Sequence, residues 1–255
     1  MCPTSGSSIL PLHPESTWNV VHVRTTASEQ HSRTLVAERS VWNVDITGTA
    51  IVLGSRQTEA ELHLDACASA NVEIVRRRSG GAMVFLVPGK QVWLDVVIPK
   101  GDPLWIDDVG RASWWLGDVW LATIESLAPG RNISAHVHRQ DLVRGEYGDL
   151  VCFSGAGPGE VMVGESANSA AENAAKIVGI SQRRTQDLAR FQCTMYLQWG
   201  PEMALQFGQL LRDPKAARAE MQANLERSVM PLSQIASGMT ASDVLTAFMA
   251  QIARV

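Results

Sequence analysis

Cysteine is scarce in this chain. Cys2, Cys67, Cys152 and Cys193 are too few and too scattered for a disulfide framework, and no C-x-x-C pair is present to suggest a zinc site. No run of about 18 apolar residues occurs, so nothing reads as a transmembrane helix. The opening Met-Cys-Pro-Thr-Ser-Gly-Ser-Ser has no charged segment leading into an apolar one. A secretory signal is therefore not expected, and a reducing cytoplasm with free thiols is the default. Positive charge is also short: Lys and Arg number 22 against 26 Asp and Glu, a net charge of −4 with pI near 5.9. Neutralising a phosphate backbone needs the opposite balance, so neither nucleic acid nor a membrane is an expected partner.

What is present suits a globular enzyme. The 255 residues are 45% hydrophobic, enough for a sizeable core. Residues 1–17 are polar and carry three prolines, which predicts a loose leader before a single domain at 18–255. Short Val, Leu, Ile and Trp runs over Arg33–Ile51 predict strands, and Glu59–Ala70 predicts a helix. Val72–Val75, Ala82–Val87 and Gln91–Ile98 read as strands, the last two joined by Pro88-Gly89 and apolar enough to be buried on both faces. Asp107–Leu127 has the apolar spacing of an amphipathic helix that Pro129-Gly130 ends. Strands are expected again near 134–137, 149–153, 160–163, 175–181 and 190–197. The small, polar insert Glu165–Ala175 is expected to be a mobile loop or a frayed helical turn. From about 201 the pattern turns helical, closing on a helix capped by Thr240 or Ser242. The order predicts an α+β fold, with a mixed, largely antiparallel sheet flanked by helices.

Two segments carry the chemistry. Arg76-Arg77-Arg78-Ser79-Gly80-Gly81 joins two strands, and such glycines expose backbone N–H groups beside fork-shaped cationic donors. Lys176-Ile177-Val178-Gly179-Ile180-Ser181 places a lysine at the start of an apolar strand, where lysine is rare unless paired. Residue type alone leaves open a surface turn and an exposed strand-end lysine. His136-Val137-His138 puts two imidazoles on one strand face, yet no third ligand is evident, so no metal site is assigned.

Together these segments resemble the biotin/lipoate protein ligase family, in its lipoate ligase and octanoyltransferase branch, over roughly residues 34–198. The family's Arg-Arg-x-Ser-Gly-Gly-Gly-Ala-Val turn reads here Arg76-Arg77-Arg78-Ser79-Gly80-Gly81-Ala82-Met83-Val84. Its Lys-hydrophobic-x-Gly-Ser-Ala strand reads Lys176 to Ser181, and Ile51-Val52-Leu53-Gly54-Ser55-Arg56-Gln57 is similar to its early strand and turn. Ala82 stands at the third glycine, Leu86-Val87 replaces the His-Asp that usually follows, and Cys193-Thr194-Met195 replaces a His-Gly-Ser or His-Gly-Thr.

The resemblance implies a biotin/lipoate ligase-like catalytic domain that passes an activated lipoyl or octanoyl group to the lysine of a lipoyl carrier domain. That carrier would be a 2-oxoacid dehydrogenase subunit or a glycine-cleavage carrier. It implies substrate contacts from Arg76, Arg77, Arg78, Ser79, Gly80, Gly81, Ala82, Asp149, Gly179 and Ser181, with Lys176 beside the activated carbonyl. Val84, Phe85, Trp93 and Val96 are expected to line an apolar slot for an eight-carbon chain. Cys152-Phe153 followed by Glu160-Val161-Met162-Val163 and then Lys176 resembles the cysteine/lysine octanoyltransferases. There Cys152 is the nucleophile, Lys176 lowers its pKa, and an acyl carrier protein is a possible donor. Three readings follow: thioester transfer through Cys152, ATP- and Mg-dependent ligation through an acyl-adenylate, and a sensor that binds lipoate or biotin without chemistry. Cys193, in an apolar strand, is expected to be packing.

Overall fold

A computed structural model describes residues 18–164, 174–209 and 214–255. The expected leader lies outside the described residues, as does all of the Glu165–Ala175 insert except Ala174 and Ala175, which open a strand. The chain runs β1 (Asn19–Thr25), α1 (Ala27–Ser32), β2 (Ser40–Ile46), β3 (Ala50–Leu53), α2 (Leu64–Ser69), β4 (Glu73–Arg76), β5 (Val84–Leu86), β6 (Gln91–Pro99), α3 (Trp114–Leu127) and β7 (Ala135–Val137). It continues through β8 (Val143–Arg144), β9 (Gly155–Ala156), β10 (Val161–Gly164), β11 (Ala174–Arg184), β12 (Leu188–Tyr196), α4 (Glu202–Phe207), α5 (Pro214–Ser228), α6 (Leu232–Ile235) and α7 (Ala241–Ile252).

The main sheet has seven strands in the order β1-β2-β6-β12-β11-β10-β7. Every pairing is antiparallel except β1 with β2. A second sheet, β4-β3-β5, pairs β3 parallel to β4 and antiparallel to β5. The α+β expectation holds. One face of the main sheet buries Leu94, Val96, Phe191 and Met195 against Leu116, Trp120 and Ile124 of α3 and Val244 and Phe248 of α7. Its other face meets the small sheet, through Trp93, Val44, Val52 and Leu86. Outside the small sheet, α2, α4 and α5 pack Cys67, Phe207, Met221 and Leu225 on Ile51 and Phe85. A seam thus runs between the two sheets. No helix of the described residues is long and apolar enough to cross a membrane.

Several elements differ from the sequence expectation. The helix expected over Glu59–Ala70 is broken: Glu59–Glu61 is one 3₁₀ turn, and α2 starts only at Leu64. Between them Leu62 bridges Gly208, and the His63 N–H donates to the Phe207 carbonyl at 2.8 Å. The helix expected from Asp107 starts at Trp114, because Asp108 turns back to accept from Gly110 N–H at 2.8 Å. β5 and β6 follow one another across Pro88-Gly89 but join different sheets. The strand expected over 149–153 is a 3₁₀ turn at Cys152–Ser154. At the C-terminal end Thr240 caps α7, accepting from Asp243 N–H while the Asp243 carboxylate accepts from Thr240 N–H.

Candidate active site

The chain leaves β4 into the Arg-Gly turn, where the three arginines part company. Arg76 and Arg78 are exposed, whereas Arg77 is buried and folds back into its own turn. Its guanidinium donates to the Gly80 carbonyl at 2.8 Å, to Ala82 at 2.8 Å and to Val52 of β3 at 3.3 Å. The sequence reading placed all three arginines against a ligand. Arg77 braces the turn through these three carbonyls and also lines a slot between the sheets. Gly54 lets the turn close on β3: a Cβ there would lie 1.7 Å from the Gly81 carbonyl oxygen. Gly81 itself has φ of +93°, a conformation that favours glycine. Buried Ser79 ties the turn to β11 through a 3.1 Å hydrogen bond to the Ser181 hydroxyl.

Cys152 comes to this turn from the other side. Val151 bridges Met83, and the Cys152 N–H donates to the Met83 carbonyl at 2.9 Å. The 3₁₀ turn aims the thiol at Gly81 and Arg77. A Cβ built on Gly81 would stand 2.7 Å from Arg77 Nη2 and 3.7 Å from Cys152 Sγ. Burial pushes the Arg77 guanidinium below its ordinary pKa, and the neighbouring Cys152 thiol and Glu160 carboxyl oppose that shift.

Lys176 is 1% exposed, and its paired state explains how a lysine enters this strand. Its Nζ lies 2.6 Å from Glu160 Oε2, donates to the Cys152 carbonyl at 2.7 Å, and sits 5.3 Å from the centre of the Phe153 ring. Glu160, 3% exposed, is itself held: its carboxylate accepts from Gly157 N–H at 2.6 Å and from Ile180 N–H at 3.1 Å. The expected pairing of Cys152 with Lys176 is therefore corrected in one respect. The two residues are neighbours, but the ammonium bonds the cysteine's main chain, and the cation beside the sulfur is Arg77.

Two cavities meet at this point, with Cys152, Ile180 and Ser181 in the walls of both. One is a narrow slot of about 40 Å³ between the sheets, lined by Val52, Val84, Leu86, Trp93, Phe153 and Gly179 among others. Val84 and Trp93 thus line the slot as expected. Phe85 and Val96 do not, because strand alternation turns them into the cores on the far faces of the two sheets. Gly179 keeps the slot open beside Phe153, whose ring would be 3.1 Å from a Cβ there. The other cavity, about 790 Å³, holds Gly80, Gly81, Ala82, Asp149 and Lys176 in its wall. Its described lining also carries Glu61, Glu146, Glu160 and Glu220, against Arg56 and Arg144. Asp149 is exposed and pairs with Arg144. Its main-chain carbonyl accepts from Gln57 Nε2 at 3.0 Å, so Gln57 ties the Cys152 loop to the turn after β3.

The remaining candidates fall away from the site. Cys193 is fully buried in the helical core, where burial pushes its thiol well above the ordinary range. His138 bonds the Asp141 carbonyl at 2.9 Å, and the described residues include no cluster of three groups able to hold a metal ion. Sequence reasoning missed Glu160 and His31 as wall residues. Glu160 gave one signal, an acid opening the apolar run Val161-Met162-Val163. His31 gave none, since α1 reaches the slot only through tertiary packing.

Residues 46–253 match the lipoyl protein ligase A/B catalytic domain. The chain belongs to this family. No curated protein matches the chain by sequence. Among solved structures, the fold of this family member is similar to a bipartite lipoate protein ligase from Thermoplasma acidophilum, with TM-score 0.66 and 12% identity over 92% of this chain and 82% of that one. A Thermoplasma acidophilum protein solved with lipoic acid gives 0.61 at 14% identity, covering 92% and 84%. A lipoate-protein ligase A solved with ATP gives 0.57 at 14%, again covering 92% and 84%.

Proposed function

We propose that this lipoyl ligase family member transfers a medium-chain lipoyl or octanoyl group from a thioester donor, through Cys152, to the lysine of a lipoyl carrier domain. The observation that carries the reading is the thiol at the junction of the two cavities, against Arg77, with the Lys176 ammonium on the cysteine's own main-chain carbonyl. The Cys152 sulfur attacks the donor carbonyl, the donor's C–S bond breaks, and the proton given up by the Cys152 thiol leaves on the donor thiol. The carrier lysine then attacks the Cys152 thioester, forming the amide and releasing the thiol. Lys176 supplies a fixed donor near the oxyanion of each step. The apolar side of the slot, Val52, Val84, Leu86 and Trp93, suits an alkyl chain, and the acid-lined cavity suits an approaching amine. The Thermoplasma ligase was studied with its E2 lipoyl domain, which supports a carrier of that kind here.

A second reading is ATP-dependent ligation. The large cavity favours it, being within the range of about 300–1,000 Å³ common for ligand sites, and relatives were solved with lipoic acid and with ATP. Phosphates fit poorly, however, where carboxylates outnumber cations in the cavity wall. Arg56 and Arg144 would be the phosphate contacts, with Mg as counterion. Incubation with an octanoyl thioester and mass spectrometry decides. The proposal expects an octanoyl adduct on Cys152 and loss of transfer in Cys152→Ser. Full transfer by Cys152→Ser, or pyrophosphate exchange dependent on free lipoate, would establish the ligase instead.

A further inference from the structure

One end of the seam between the sheets carries a surplus of positive charge. The register of β11 with β12 sets Gly179 opposite Thr194, Ser181 opposite Gln192 and Arg183 opposite Arg190. The first two pairs line the slot. Strand alternation carries Arg183 and Arg190 onto the same face, about 7 Å further along. Arg190 is neutralised there by Asp95, which accepts from its Nε at 3.1 Å. Arg78 arrives from the Arg-Gly turn, which the 3.1 Å bond between Ser79 and Ser181 fixes against β11. Arg78 is exposed and Arg183 half-buried, and among the described residues no acidic side chain pairs with either. Burial lowers the Arg183 guanidinium below its ordinary pKa, and its neighbours Arg78 and Arg190 lower it further. Gln182, between Ser181 and Arg183, lines the large cavity, and its buried Nε2 has no hydrogen-bond partner among the described residues.

Two neighbouring guanidiniums without a carboxylate repel one another, and an anion that bridges them turns the repulsion into charge-assisted hydrogen bonds. Their forked donors suit phosphate. The cavity carboxylates Glu61, Glu146 and Glu220 stand on other segments, after β3, after β8 and on α5, so a phosphate unwelcome in the cavity meets cations here instead. An acyl thioester is carried on coenzyme A or on a carrier protein, and each holds its thiol on a phosphopantetheine arm with one phosphate end and two amides. We propose that Arg78 and Arg183 bind the phosphate of such an arm while Gln182 donates to one of its amide carbonyls, so that the donor is a phosphopantetheine thioester. This rests on the Cys152 transfer reading above, whose donor it names.

Calorimetric titration of the full chain with two thioethers that cannot transfer, S-octyl-phosphopantetheine and S-octyl-pantetheine, tests the site without chemistry at Cys152. The two differ only in the phosphate, and the phosphorylated ligand is expected to bind at least about tenfold more tightly. Arg78→Gln and Arg183→Gln should each remove most of that difference. Arg131→Gln, the same loss of charge at an exposed position elsewhere, should keep it. Thermal melts report whether each variant folds, and should Arg183→Gln fail, exposed Arg78→Gln carries the test. Equal binding of the two thioethers, a preference that survives both variants, or one lost equally in Arg131→Gln overturns the site. A Cys152 adduct from an octanoyl thioester in that same protein would leave the transfer reading standing. A phosphate preference in a protein that forms no such adduct supports the site while sinking the transfer mechanism. Binding of neither thioether overturns the site together with the acyl reading of the slot. ATP is titrated alongside: affinity for ATP that depends on both arginines, with the two thioethers binding alike, gives the arginine pair to a nucleotide and overturns the donor assignment.

Discussion

The buried Lys176 side chain is paired with Glu160, and Glu160 in turn is fixed by two backbone N–H groups. Removing one member of such a pair leaves the other charge uncompensated in a dry site, whereas removing both removes the problem. Glu160→Gln is therefore expected to lower stability by about 3 kcal/mol. Adding Lys176→Met in that background should recover a large part of the loss in urea unfolding, although both variants should have lost acyl transfer. A double variant no more stable than Glu160→Gln would show that the pair is not the reason the lysine tolerates burial. The pair also explains why residue type alone was ambiguous. Lys176 at the head of an apolar strand signals a partner, but the partner lies across a β-bulge between β10 and β11 that spacing does not reveal.

At the scale of elements, the Arg-Gly turn is shaped from both sides, by Gly54 below and by Arg77 within. Gly80 and Gly54 belong to the same motif yet predict opposite outcomes. A Cβ at Gly80 meets nothing within 4 Å, while one at Gly54 runs into the Gly81 carbonyl. Gly80→Ala should change stability by less than about 0.5 kcal/mol and keep Cys152 acylation. Gly54→Ala should cost about 3 kcal/mol or more, or displace the turn, and either result should abolish the adduct. Thermal melts alongside adduct mass spectrometry separate these cases, and an unaffected Gly54→Ala would refute the close approach. This turn was legible in the sequence because its glycines, serine and arginines are contiguous. The inward fold of Arg77 was not, since its acceptors include Val52 on another strand. The broken 59–70 helix was hidden for a similar reason: its apolar spacing is helical, but Leu62 and His63 are taken by the segment at Phe207–Gly208.

Over the whole molecule, the two-sheet seam is held at one end by a polar network drawn from distant parts of the chain. Gln30 reaches Asp95 across 65 residues, and Arg190 reaches the Gln30 carbonyl across 160. The α+β class followed from the order of elements, but no local pattern announces contacts of that separation. The network's outlying member is His31, whose pKa burial lowers from 6.5 to about 4, with Arg190 and Arg77 also lowering it and Asp95 opposing. The sign follows from proton counts: between pH 6.5 and about 4 the unfolded chain binds a proton that the folded chain does not. Stability from this group is fully present above pH 6.5 and declines as pH falls toward 4, by about 3 kcal/mol in all. His31→Gln keeps a hydrogen-bonding group beside Gln192 but cannot titrate. Urea unfolding of both proteins at several pH values across that window isolates the effect, because the carboxylates contribute equally to each. The expected result is a shallower pH slope for His31→Gln, with the two curves diverging only below pH 6.5. Parallel curves would mean that His31 takes up its proton in the folded protein, and so that the slot wall beside it is open to water.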